Sequence, residues 1–161
     1  MAAGLLNGFV RKTRGRLVNT AVLPALFDSH CHLDLPELRP DWLVHWQQAK
    51  AVGVSACLIP AVQQSAWLPL LAFKQQQNVF QIALGIHPWW ATAHQPGALV
   101  ELETLLQQHP TQICAVGEIG LDFAIAPESF VIQQQLFAAQ LSLATTYQKP
   151  VILHHCTILL R

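Results

Sequence analysis

The sequence predicts an α/β protein of the TIM-type β/α barrel kind, and three observations predict it. From Leu26 onward, short apolar runs alternate with longer amphipathic ones. The short runs are almost continuously hydrophobic, as strands covered on both faces are. Polar side chains suited to binding ions recur where those runs end, and residues at the C-terminal ends of several strands mark the working face of such a barrel.

Taken in order, residues 1–26 stand apart. They are basic and free of acids, with Arg11, Lys12, Arg14 and Arg16 among scattered glycines. Their helical apolar pattern is too weak for an organelle presequence, so they are expected to form a disordered leader, or to lie upstream of the true start. Residues 27–161 are expected to hold the barrel domain. Strands are predicted at Leu26–His30, Ala56–Ala61, Phe80–Ile86, Ile113–Glu118 and Pro150–His154, with helices over Asp41–Val52, Ser65–Gln77, Ala98–Gln108 and Glu128–Gln148. Asp41 is a candidate cap for the first helix and Gly53 a candidate stop. In the last helix, Phe130, Gln134, Phe137, Leu141 and Ala144 keep helical spacing, with Gln133 and Gln140 in the polar remainder. Strand–helix repetition requires parallel pairing, because parallel strands need crossover connections. A dinucleotide-binding open sheet would show a glycine-rich turn after the first strand. None is present there.

Composition narrows the function classes. The chain has 161 residues, 52% hydrophobic and 11% charged, with zero formal net charge, which excludes a disordered chain and a globally basic nucleic-acid binder. From Asp28 to Arg161 there are nine acids against five bases, a balance of −4. An acidic body suits a carboxylate-bearing cation site. The four cysteines, Cys31, Cys57, Cys114 and Cys156, form no Cys-x-x-Cys pair, so they read as reduced cysteines of a cytoplasmic protein. No run reaches the roughly 18 apolar residues of a membrane span.

The candidate chemistry lies at the strand ends. In an extended chain His30 and His32 share one face while Cys31 points away. The third strand ends in Gly85-Ile86-His87-Pro88, the fourth in Gly117-Glu118-Ile119-Gly120-Leu121-Asp122 and the fifth in His154-His155. Around a common mouth, His30, His32, Glu118 and His154 can converge on one point. Imidazole and carboxylate together suit zinc, manganese or a similar divalent ion. Glu118, with two oxygens, could bridge two ions roughly 3.5–4 Å apart, an arrangement for metal-assisted hydrolysis. The glycines beside it allow close approach. His155 points to the other side by strand alternation. His87 is expected to orient substrate, support the ligands or cap its strand. Asp122 either hydrogen-bonds a ligand histidine or is a loop carboxylate. Trp89 and Trp90 sit at the same mouth, as a packed lid or as a surface for a base or sugar. His45, His94 and His109 read as surface or structural.

Five segments, in order, carry a family resemblance: Phe27–Asp34 (FDSHCHLD), Leu84–Pro88 (LGIHP), Ala115–Asp122 (AVGEIGLD), Gln133–Ala144 (QQQLFAAQLSLA) and Pro150–His154 (PVILH). On these the chain resembles the TatD family of metal-dependent deoxyribonucleases, within the amidohydrolase-like barrels and in particular the YjjV-type branch. The resemblance implies a barrel of the metal-dependent hydrolase kind that cleaves DNA phosphodiester bonds. It implies two divalent ions of the zinc, manganese or magnesium class, metal ligands His30, His32, Glu118 and His154, and Glu118 as the shared catalytic carboxylate. His87 and Asp122 are substrate-side candidates. DNA is the expected partner, with no membrane and no obligate protein partner. Family barrels have eight strands and roughly 250 residues, and take another histidine and an aspartate from strands after the fifth. The chain therefore reads as an N-terminal fragment truncated after about five strands, expected to fold poorly alone and to be weakly active or inactive. Two alternatives stay open: a non-enzymatic remnant that binds an ion or a partner, and a metal-dependent hydrolase of an amide or lactone.

Overall fold

In the computed structural model, five parallel strands lie side by side in chain order. They are β1 (Leu26–Asp28), β2 (Val54–Pro60), β3 (Phe80–Leu84), β4 (Ile113–Asp122) and β5 (Val151–Cys156). Four helices connect them: α1 (Trp42–Ala51), α2 (Trp67–Gln76), α3 (Ala98–Gln108) and α4 (Phe130–Thr146). The structure describes residues 24–124 and 127–156, together with the backbone of a two-residue antiparallel ladder between Lys12–Thr13 and Arg16–Leu17. The rest of the expected leader, residues 1–26, lies outside the described residues up to position 23. Sequential parallel order with a helix in every connection is the β/α-barrel pattern. The sheet curls strongly: Glu118 N of β4 donates to Ala61 O, just beyond β2, at 2.9 Å, past the intervening β3.

Strands β2 to β5 each show two faces. Cys57 and Ile59, Ile82 and Leu84, Val116 and Ile119 point outward into one core with Trp46, Trp67, Leu70, Leu102 and Leu106 of the helices. Leu58, Ala83 and Ala115 form a smaller cluster on the other, concave face, packed with Ile152. Small residues there leave room inside the curl. Phe80 anchors the outer core, with Phe73 stacked on it at 5.2 Å and Trp46 edge-on at 5.1 Å. Burying such rings contributes on the order of 2–3 kcal/mol each.

The structure corrects several expectations. β1 stops at Asp28 rather than His30, because Asp28 Oδ1 accepts a hydrogen bond from His30 N at 3.1 Å and turns the chain out of the ladder. β4 and β5 both run on, to Asp122 and Cys156, since Gly120–Asp122 pair with His154–Cys156. β1 and β5 are not covered on both faces as continuous apolar runs suggested: β1 is exposed, and β5 alternates half-buried with exposed residues. Asp41 stands at the N-cap of α1 without a capping side-chain bond. Gly53 does follow α1, at φ +101°, a left-handed conformation that favours glycine. The buried stripe of α4 is Gln133, Leu136, Gln140 and Ala144, while Gln134 is exposed. The stripe is rotated because two glutamines satisfy buried backbone of the sheet. Gln140 Oε1 accepts from Ile86 N at 2.7 Å and its Nε2 donates to Ile86 O at 3.3 Å.

Candidate metal centre

The centre is built on Glu118, and a register shift aims it. Val116 pairs with Val151 and Ile119 with Leu153, so β4 carries one residue more than β5 between those rungs. Without that residue Glu118 would share the outward parity of Val116. The extra residue turns its side chain to the concave face. Glycines make the bend possible: a Cβ on Gly85 would lie 2.8 Å from Gly117 Cα, and one on Gly117 would lie 2.6 Å from Ile152 Cβ.

His30 and His32 reach the same point from the segment after β1. Cys31 N donates to Leu58 O at 3.0 Å, which keeps that peptide tied to β2 while Cys31 packs on the outer core. The two imidazoles fall on the opposite side, with their Nε2 atoms 3.0 Å apart. His154 projects inward from β5 at the rung of Gly120, with His155 outward and exposed. His87 follows β3, its N donating to Val62 O at 3.0 Å.

Four imidazoles thus face one buried carboxylate, two on each oxygen. Glu118 Oε2 lies 3.2 Å from His30 Nε2 and 3.7 Å from His32 Nε2. Oε1 lies 3.3 Å from His154 Nδ1 and 3.7 Å from His87 Nε2. Glu118 is only 6% exposed. Two three-residue groups, His30–His32–Glu118 and His87–Glu118–His154, have their donor atoms within 4.8 Å of one another and could each hold an ion.

Hydrogen bonds distinguish the two histidines on Oε1. His154 Nε2 lies 3.1 Å from Asp122 Oδ2. A carboxylate only accepts, so that nitrogen carries the hydrogen and the Nδ1 lone pair is left for an ion. In His87, Nδ1 accepts from Trp89 N at 3.1 Å. Its hydrogen therefore sits on Nε2, which makes His87 a donor toward the centre. Burial first, then the neighbouring His154, hold the His87 imidazole down to about 4, so near neutral pH it carries that single proton. We therefore separate His87 from the ion-holding set.

Asp122 is itself gripped. Its Oδ2 also accepts from the indole Nε1 of Trp89, its Oδ1 accepts from Ala124 N at 2.9 Å, and its backbone N donates to Gln133 Oε1 at 2.8 Å. Burial pushes the Asp122 carboxyl up, but the bonds from Trp89, Ala124 and His154 outweigh it and hold the group below its ordinary value. The donor set fits a divalent ion: His30, His32 and His154 offer nitrogens and Glu118 offers an oxygen to either side. His32 Nδ1 is buried without a hydrogen-bond partner.

The sequence signals named His30, His32, Glu118, His154, His87 and Asp122, and the structure brings all six to one cavity or its wall. Gln133 and Gln140 escaped that reading. Their signal was a seven-residue spacing in line with Leu136 and Ala144. Among the other histidines, His94 Nδ1 lies 2.6 Å from Ala91 O, away from Glu118.

Comparison with known proteins adds the relatives. The family model described as TatD related DNase matches residues 27–157. The Escherichia coli K12 protein YjjV, named an uncharacterized metal-dependent hydrolase, is 37% identical over 127 residues, 79% of this chain and 49% of that protein. Human TATDN3, named a deoxyribonuclease, is 28% identical over 140 residues, 80% of this chain and 51% of that protein. Among solved structures, YjjV from Escherichia coli matches with a TM-score of 0.76 at 36% identity, covering 81% of this chain and 50% of that one. A TatD family hydrolase from Entamoeba histolytica matches with a TM-score of 0.68 at 20% identity, covering 85% and 52%, and shows the fold alone. The chain spans about half the length of the curated relatives it matches. Its five strands are a curled half of the TIM-type barrel of those relatives. The matched residues include every member of the centre, and the chain belongs to the TatD family.

Proposed function

We propose that this chain carries the greater part of a two-ion centre that hydrolyses phosphodiester bonds of DNA. One observation carries the reading: a buried carboxylate with two imidazoles on each oxygen. The family description and the name of the human relative support deoxyribonucleic acid as substrate. The names of the bacterial relatives support metal dependence.

In this reading His30, His32 and Glu118 would hold one divalent ion, and His154 and Glu118 would hold a second. Such ions supply Lewis-acid charge, lower the pKa of water and neutralise a phosphoryl group. Asp122 keeps the proton on His154 Nε2 and so presents Nδ1. His87 would donate a hydrogen bond from its Nε2–H to a phosphoryl oxygen, where charge develops during displacement. Glu118 spaces the two positions. The free cysteines suit a reducing, cytoplasmic compartment, and among the described residues no helix is long and apolar enough to cross a membrane.

The test is calorimetric titration of manganese or zinc into the chain and its Glu118→Gln variant, with cleavage of a single-stranded oligonucleotide followed in the same samples. Two ions bound, with weak cleavage that the variant loses, is the expected result. Unchanged ion binding in the variant would overturn the reading.

A further inference from the structure

We infer that Trp89 is the stacking platform for a nucleobase next to the phosphodiester that the centre engages. The inference rests on the DNA-directed reading above and deepens it. Trp89 is 62% exposed, an unusual place for the largest apolar side chain. It is nonetheless held at several points. Its indole Nε1 donates to the buried Asp122 carboxylate, and its backbone N donates to His87 Nδ1. Its ring stands edge-on to His87 at 5.0 Å and to His154 at 6.2 Å. A buried carboxylate is thus used to fix an exposed ring. Fixing an aromatic surface beforehand removes an ordering cost from whatever stacks on it.

The cavity explains what that should be. It has a volume of about 430 Å³ and joins Trp89 and Trp90 to His30, His32, Glu118 and His154, with no lysine or arginine among the described residues that line it. Between residues 24 and 156 there are nine acids and four bases, Arg39, Lys50, Lys74 and Lys149. Electrostatic capture of a polyanion by these residues is therefore weak outside the ion positions. Affinity for the rest of a nucleotide must come from a neutral contact. Base-on-indole stacking is such a contact, and it tolerates any base because every base has a flat π face.

The experiment compares binding to two fluorescent single-stranded oligonucleotides of equal length by anisotropy, with chelator present. One carries ordinary bases and the other abasic tetrahydrofuran units. Wild-type protein should prefer the base-bearing strand by about tenfold. Trp89→Leu should reduce that preference to about twofold or less, whereas Trp89→Phe, which keeps a flat face but loses the N–H that fixes it, should retain an intermediate preference. A tenfold preference that survives Trp89→Leu, or equal binding of both strands by wild type, overturns the inference. Cleavage on adding manganese is followed separately with the same strands. Base preference without cleavage leaves the platform standing and overturns the hydrolytic reading, and cleavage without base preference does the reverse.

Discussion

Asp122 shows how one side chain governs a neighbour's chemistry. By accepting from His154 Nε2 it selects the tautomer whose Nδ1 faces Glu118. Asp122→Asn keeps the shape but removes the charge, and is expected to weaken ion affinity by about 10- to 100-fold. Competition against a chromophoric chelator measures it, and unchanged affinity would separate His154 from the ion. Gln140 is the structural counterpart. Gln140→Leu leaves Ile86 N and O without their side-chain partner in a buried place. The expected loss is about 2–4 kcal/mol in urea unfolding, with no direct contact to the ions removed. These residues were unequally legible. The histidines and Glu118 stood out as polar residues at the ends of apolar runs. Gln140 did not, because a glutamine looks the same facing water as facing unpaired backbone.

At the scale of elements, the pairing of β4 with β5 decides where His154 sits. A Cβ on Gly120 would lie within 1.8 Å of His154 O. No backbone contact can be that short, so Gly120→Ala must push β5 away. We expect it to lower stability by more than about 2 kcal/mol and to reduce bound ions from two to one, read by urea unfolding and calorimetry on the same preparation. Retention of two ions would mean that the second position does not depend on β5. The register of α4 follows from the same requirement. Its buried stripe brings Gln133 to Asp122 and Gln140 to Ile86, so the helix that covers the sheet also fixes two of the strand ends that bear the site.

Across the whole molecule, the proposed centre would link ion binding to folding. The centre draws on segments from residue 30 to residue 154, and holding an ion there ties β1 to β4 and β5. An ion that binds only the folded chain stabilises it by about 2.7 kcal/mol at a hundred times its Kd. Thermal unfolding should therefore move to higher temperature with manganese or zinc and return on chelation. Glu118→Gln should respond much less. An equal response in the variant would place the ion elsewhere.

The sequence by itself determined the order of strands and helices, their parallel pairing and the identity of the side chains that gather at the mouth. Periodicity and strand-end position are local properties, written in neighbouring residues such as His30 and His32. Only the tertiary structure decided that Glu118 faces inward, because one extra residue in β4 relative to β5 reverses its parity, and a register shift belongs to two strands at once. It also decided that His87 turns an N–H toward Glu118 while His154 turns a lone pair toward it. The two imidazoles are chemically identical in the sequence, and they differ only in what the other nitrogen meets: the backbone N of Trp89 in one, the carboxylate of Asp122 in the other.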